Sequence, residues 1–308
     1  MKISLVTPAG PGLRNGNRHT ALRWAAFLRA AGHGVKVSVK DLSSDADLML
    51  ALHARRSHES IVDFWRSHPD RRIVVALTGT DLYRDIRVSG EAQESLERAD
   101  RLIVLQPKAA EELPERLRGK VRVVVQSSST ALRHKPPKGK FRICVIGHLR
   151  EEKDPLRTLA ALRSLPDAAH LEVVQIGALL DPNLKPVTKD KRYRWLKGMP
   201  HGTALRWLAS SHAMVISSRM EGGANVVCEA IRIGVPILAS YVSGNIGLLG
   251  DDYPGYFRVD DEKQLAVLIS KASTNKGFYR SLRQHIAKLR PMVAPQSEKR
   301  ALLEAIRV

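Results

Sequence analysis

The sequence predicts an α/β fold of two doubly wound, parallel-sheet domains, and three observations lead there. Its length of 308 residues exceeds what one hydrophobic core ordinarily serves, since cores stop growing at roughly 250–300 residues. Short apolar runs alternate with segments of helical period along the chain, the pattern of parallel strands joined by crossover helices. Residues 131–140, ALRHKPPKGK, break that alternation with two prolines, a glycine and four basic residues and no apolar period, which marks a linker. The expected division is therefore 1–138 and 139–308, with the last helices packing back on the first domain.

In the first domain KISLVTP opens as a strand and RHTALRWAAFLRAAGH follows as a helix. VKVSV, DLMLAL, RRIVVALTG, RLIVL and VRVVVQ read as further strands, with ESIVDFWRSH, EAQESLERA and KAAEELPERL as helices. The alternation restarts with FRICVIG, LEVVQIG, HAMVISS and VPILAS as strands, and DPLRTLAALRSLP, ALRWLASS and ANVVCEAIRIG as helices. Helical segments 261–274, 276–289 and 296–307 close the chain. Ligands of such sheets bind beyond the carboxyl ends of the strands, so the loops facing a cleft between the two halves are where chemistry is expected.

Composition excludes several classes. Apolar content of 44% with 26% charged residues is that of an ordinary globular protein. The longest apolar runs, RLIVL and VRVVV, fall far short of the roughly 20 residues that span a bilayer. MKISLVTPAG is too short an apolar start for a secretory signal, which leads to the expectation of a cytoplasmic protein. Cys144 and Cys228 lie in apolar patterns without partners at ligand spacing, so buried free thiols are expected rather than a disulfide or zinc site. The net charge is +19, and residues 1–138 hold 24 Lys and Arg against 15 Asp and Glu, the remainder 26 against 16. An excess shared by both halves suits polyanionic small ligands, nucleic acid or an anionic membrane surface. Aromatic residues are only 5%, which argues against a nucleic-acid module built on stacking.

SRMEGGANVVCEAIRIGVPILAS, residues 218–240, carries the first chemical motif. Gly222 and Gly223 remove side chains where the backbone turns tightly or meets a ligand. Asn225 is the expected N-cap of the following helix, whose first N–H groups, Val226 among them, make an anion site suited to a diphosphate. Glu221 before the turn and Glu229, placed in the first helical turn, then suit the hydroxyls of a sugar and a ribose. Taken singly, Glu229 also serves to complement the helix dipole and Glu221 as a solvated loop residue.

GHLREEKDPLRTLAAL follows the second domain's first strand from Gly147. Its cations can neutralise a diphosphate leaving group without a metal ion, although a locally paired, solvated loop is the plainer account of REEK. In the first domain, Arg14, Asn15, Asn17, Arg18 and Thr20 of TPAGPGLRNGNRHTALRW cluster where a phosphate-sized anion could meet guanidinium forks and backbone N–H groups. An ordinary strand-to-helix connection is the alternative there. Thr78, Thr80 and Asp81 of LTGTDLYRD and His53, Arg55 and Arg56 of LHARRS reach the same mouth, with His53 by itself read as a core or loop histidine. Asp45 and Asp47 form D-x-D but read as a solvated loop.

Glu221 and Glu229 are seven residues apart, with Gly-Gly after the first and EAIRIGVP from the second. The segment resembles the E-x7-E motif of the family-four retaining glycosyltransferases of GT-B architecture, two Rossmann-like domains facing a central cleft. That resemblance implies Glu221 facing the donor sugar, Glu229 on the ribose, and Gly222, Gly223, Asn225 and Val226 around the diphosphate. The family's Gly-Arg-Leu followed by Lys is matched by Gly147, Leu149 and Lys153, with His148 replacing the arginine and Arg150 expected to supply the guanidinium. QSSSTAL from Gln126 departs from the Asn-Gly turn of many relatives. The combination of NGNRHTA, TGTDLYRD and GHLREEKDP is similar to the selenosugar-synthase branch of selenoneine biosynthesis. It implies a UDP-sugar donor, such as UDP-N-acetylglucosamine or UDP-glucose, and selenophosphate as nucleophile, with Glu221, Lys153 and Arg150 as catalytic residues and no metal cofactor. Nucleic acid and stable membrane anchoring are not expected. The alternatives are transfer to a hydroxyl acceptor and, in another class, a basic nucleic-acid-binding protein.

Overall fold

The computed structural model describes residues 1–12, 16–40, 45–165 and 168–307. The chain forms two compact units, Met1–Gln126 with Pro295–Val308, and Ser127–Ala294. Segment 127–138, on the first-domain side of the expected division, belongs to the second unit. Of the terminal helices, Glu262–Thr274 and Lys276–Leu289 lie in the second unit and Pro295–Ile306 in the first.

The first unit is built on β1 (Lys2–Val6), β2 (Gly34–Ser38), β3 (Leu48–Leu52), β4 (Arg72–Ala76), β5 (Arg101–Val104) and β6 (Val121–Val123). They pair in parallel in the order β2-β1-β3-β4-β5-β6. Successive strand side chains point to opposite faces, so Leu48, Leu50 and Leu52 enter one core with Trp24 and Leu28, while Met49 and Ala51 enter another with Phe64 and Leu96. A strand buried on both faces must be apolar at every position, which is why LMLAL does not alternate.

KAAEELPERL is not one helix. It divides into a 3-10 turn, Pro107–Glu112, and a single helical turn, Glu115–Arg118, because Pro114 offers no backbone N–H to continue the ladder.

Helix Pro295–Ile306 is held to the first unit by Leu302, Ala305 and Ile306 in the core and by a buried carboxylate. Glu298, 1% exposed, accepts from Arg23 Nε at 2.8 Å, Arg23 Nη2 at 3.0 Å and Trp24 Nε1 at 2.8 Å. Glu298→Ala strips a buried indole N–H and a guanidinium of their acceptor, and is expected to cost about 3–5 kcal/mol. Denaturant unfolding followed by tryptophan fluorescence measures it, and a loss below about 1 kcal/mol refutes this role.

The second unit carries β7 (Phe141–Ile146), β8 (Leu171–Ile176), β9 (Tyr193–Trp195), β10 (Ala213–Ile216), β11 (Ile237–Ser240) and β12 (Tyr256–Phe257), all parallel in the order β12-β11-β10-β7-β8-β9. Counting from β7, this is the doubly wound order 3-2-1-4-5-6 reversed in direction, and its switch point lies between β7 and β10. The edge strands β9 and β12 are three and two residues long, too short to leave an apolar run in the sequence. Cys144 and Cys228 are buried and stand in no disulfide, and burial pushes the Cys144 thiol up to about 12.

The segment expected as a linker is fastened to this unit. His134 N donates to Ile233 O at 3.2 Å, Lys135 N to Ala209 O at 2.8 Å, and the His134 ring Nε2 lies 2.9 Å from Ser211 O. Burial, partly opposed by that hydrogen bond, lowers the His134 pKa from 6.5 to about 4. A histidine kept neutral in the fold is protonated first in the unfolded chain, so its contribution is intact above pH 6.5 and is lost as pH falls towards 4. His134→Gln is expected to flatten the fall in stability across that window, read by urea unfolding at stepped pH.

Candidate active site

The second unit's site is assembled at the β7/β10 switch point. Gly147 directly follows β7, its N–H donating to Ile176 O at 2.9 Å. Gly177, just past β8, lies so close that a Cβ there would sit 1.8 Å from Gly147 O. Only glycine allows the two strand ends to approach in this way. His148 Nδ1 accepts from Ala178 N at 3.1 Å, which places any remaining proton of the neutral ring on Nε2. The chain then makes a 3-10 turn, Glu151–Lys153, and passes through Asp154 in the left-handed region at φ 42°.

The loop after β10 is tied to that turn. Ser217 Oγ donates to the carbonyls of Lys153 at 3.2 Å and Asp154 at 2.8 Å, and Arg219 N donates to Glu152 O at 2.9 Å. Across this seam Lys153 Nζ pairs with Glu221 Oε1, which also accepts from Ser218 Oγ at 2.6 Å. Glu221 is 6% exposed. Its backbone rests on Gly244, the second residue of helix Ser243–Leu249, where a Cβ would come 1.8 Å from Glu221 O. Gly147, Lys153, Gln175, Ser217, Ser218 and Glu221 line one pocket.

Helix Asn225–Ile233 starts one residue earlier than the cap assignment requires. Ala224 is the N-cap, extended at φ −71° and ψ 117°, and its carbonyl accepts from Val227 N at 3.0 Å, so Asn225 is the first helical residue and the N-cap residue itself supplies no side-chain hydrogen bond. Glu229 is consequently the fifth helical residue, in the second turn and not the first. Its Oε1 lies 2.7 Å from His201 Nε2. Gly222 is buried; Gly223 and Val226 are half-buried. Arg150 does not line the pocket; it is exposed and its Nε lies 3.9 Å from Glu152 Oε2.

Gln175, Gly177, His201 and Gly244 escaped sequence reasoning. Gln175 is 1% exposed with Oε1 lacking a hydrogen-bond partner among the described residues, and within the apolar run LEVVQIG it looks like a strand residue and nothing more.

The family profile of glycosyl transferases group 1 matches residues 128–289, over half of the chain. The chain belongs to that family. No curated protein matches the sequence. Solved structures agree in fold over almost the whole length. The Anabaena protein HepE, in complex with UDP-glucose, superimposes with a TM-score of 0.78 at 13% identity, covering 99% of each chain. Sucrose-phosphate synthase from Thermosynechococcus elongatus gives 0.75 at 15% identity over 98% of this chain and 97% of its own. The lipopolysaccharide outer core galactosyltransferase WaaB gives 0.70 at 14% identity over 99% of both. The fold is therefore GT-B, with two parallel six-stranded sheets.

In this glycosyltransferase the first unit places its charged loops at the carboxyl ends of β1, β3 and β4. Arg14 and Asn15 lie outside the described residues. Asn17 and Arg18 stand in the first turn of helix Gly16–Arg29, half-exposed. Thr20 is buried and accepts from Gln126 Nε2, a bond that turns it away from ligand duty. Asp81 opens a π-helical turn, Asp81–Asp85, and is fully buried. Its Oδ1 accepts from Thr78 N at 2.7 Å and Thr78 Oγ1 at 3.0 Å, its Oδ2 from Ala54 N at 3.0 Å. The expected anion contact of Asp81 gives way to a brace: its oxygens are occupied, and its charge would repel a phosphate.

His53 is buried at φ 75°, with Thr80 Oγ1 3.4 Å from its Nε2. Burial holds its pKa below 6.5, against the pull of Asp81. Burial pushes Asp85 up, but hydrogen bonds from Arg84 Nε at 3.1 Å and Arg55 Nε at 2.8 Å outweigh it and hold the carboxyl below the usual range.

Asp45 and Asp47 both engage Lys2, at 2.6 and 2.7 Å. Among the described residues no group of three or more His, Cys, Asp or Glu is arranged to hold a metal. No helix among them is long and apolar enough to cross a membrane.

Proposed function

We propose that this glycosyltransferase joins selenophosphate to the anomeric carbon of a UDP-sugar, UDP-N-acetylglucosamine or UDP-glucose, and is a selenosugar synthase. The donor half of the reading is carried by one observation, the meeting of Lys153 and Glu221 at the β7/β10 switch point. A lysine held there by a buried carboxylate is a cation already oriented for a diphosphate leaving group. Glu221 would face the sugar hydroxyls, Glu229 the ribose, and the start of helix Asn225–Ile233 the diphosphate. Gly147, His148, Gly222, Gly223, Asn225 and Val226 complete the donor contacts, with Arg150 as a further cation. The neighbours' UDP-bound states lend this half support by analogy of fold.

The selenium half is supported by the first-unit loops and their similarity to the selenosugar-synthase branch. Arg14, Asn15, Asn17, Arg18 and Thr80 would hold the selenophosphate oxygens. Selenium attacks C1 as the C1–O bond to UDP breaks; water then cleaves the Se–P bond, releasing phosphate and the 1-seleno sugar. An anionic nucleophile needs no strong general base. No metal takes part in this scheme, and the protein would act in the cytoplasm.

Incubation with selenophosphate and a panel of UDP-sugars, read by mass spectrometry, decides the reading. A selenosugar with stoichiometric UDP and phosphate supports it; UDP release only on addition of hydroxyl acceptors overturns the selenium half. Arg18→Ala should raise the KM for selenophosphate and leave that for the UDP-sugar unchanged.

A further inference from the structure

We infer that His201 is a positioning residue for Glu229, setting its carboxylate to receive the ribose of the donor; the inference rests on the donor reading above. A glutamate side chain has three rotatable bonds, and holding it in one rotamer costs conformational entropy that a ligand must otherwise supply. In this structure Glu229 Oε1 lies 2.7 Å from His201 Nε2, with the glutamate side chain only 14% exposed. A carboxylate at neutral pH accepts and does not donate, so the proton resides on Nε2 in either charge state of the imidazole. Donation to Oε1 orients the carboxylate plane while Oε2 is left to accept from a ligand hydroxyl.

The backbone that carries the imidazole is itself anchored. His201 is the first residue of helix His201–Ala209, entered through Pro200, whose ring fixes φ at −57° and whose carbonyl accepts from Thr203 N at 2.9 Å and Ala204 N at 3.1 Å. The two partners lie 28 residues apart and on different helices, so their meeting is a product of helix packing, not of a local turn. The His201 side chain is 55% exposed, so replacing it removes little from the core. A contact with one partner this exposed is worth little for stability. Its consequence lies in the geometry of Glu229.

The test is equilibrium binding of UDP and 2′,3′-dideoxy-UDP to the full chain by calorimetry, which requires no turnover. His201→Leu is expected to weaken UDP by about tenfold and dideoxy-UDP by less than about twofold, since the latter has no hydroxyl for Glu229 to accept from. His201→Gln, whose Nε2 can take the place of the imidazole Nε2, should bind both as the parent does, whereas His201→Asn, with its donor set short, should behave as His201→Leu. Thermal unfolding confirms that each variant is folded, and the Gln/Asn contrast serves if the leucine variant is not. Undiminished or tighter UDP binding by His201→Leu and His201→Asn overturns the inference, as does an equal loss for both ligands. Glu229→Ala separates the two levels. If it leaves the preference for UDP over dideoxy-UDP intact, the ribose reading falls; if it abolishes that preference while the His201 variants keep it, only the role of His201 falls.

Discussion

Lys153→Ala is expected to lower kcat by about 100- to 1,000-fold, with the KM for the nucleotide-sugar donor changed by no more than a few-fold. The argument is electrostatic. In the proposed reaction negative charge accumulates on the leaving diphosphate as the bond to the sugar breaks, and a cation aimed there acts more strongly on the transition state than on bound substrate. Lys153 is oriented before any ligand arrives, because its ammonium pairs with Glu221, which is anchored in turn by Ser218. A group acting only as charge develops lowers kcat and kcat/KM together. Initial rates of UDP release measure the effect. Turnover within about threefold of the parent protein would remove Lys153 from the mechanism.

Gly244→Ala should be nearly as damaging, although Gly244 touches no proposed substrate atom. The added methyl would lie 1.8 Å from Glu221 O, 2.5 Å from its carbonyl carbon and 2.7 Å from its Cβ. Backbone at that range cannot swing aside as the end of a long side chain does, so either helix Ser243–Leu249 or the Glu221 loop must move. Overpacking of this kind costs about 1–3 kcal/mol. A displacement of Glu221 near 1 Å is worth about 100-fold in rate. A kcat/KM loss of that order in a variant with native circular dichroism is the expected result; parental activity would show that the loop absorbs the methyl without shifting Glu221.

The loops that meet at the β7/β10 switch point are legible in the sequence because they are compressed into short segments. Gly147, Lys153 and Glu221 each follow a strand that its apolar run announces, and the strand order brings those strand ends together. The helix start was misread by one residue. Asn225 has the better capping side chain, yet the chain is already extended at Ala224 with its carbonyl in the first helical bonds, so backbone geometry overruled side-chain preference. Thr20 and Asp81 were misjudged for another reason. Each sits in a polar stretch of sequence that suggests exposure, Thr20 early in helix Gly16–Arg29 and Asp81 at the π-helical turn, but Gln126 closes over the first, while Thr78 and the N–H of Ala54 enclose the second.

Alternation of apolar strands with helical segments is a local property, since each strand must be apolar where both its faces are covered; two parallel α/β units and the spacing of Glu221, Lys153 and Glu229 follow from the chain read in order. Packing decided the rest. His201 meets Glu229, Gly244 supports Glu221 and Glu298 holds the last helix to the first unit because elements distant in sequence are brought within a few ångströms, and a distance of that kind leaves no periodic trace in either partner's own segment.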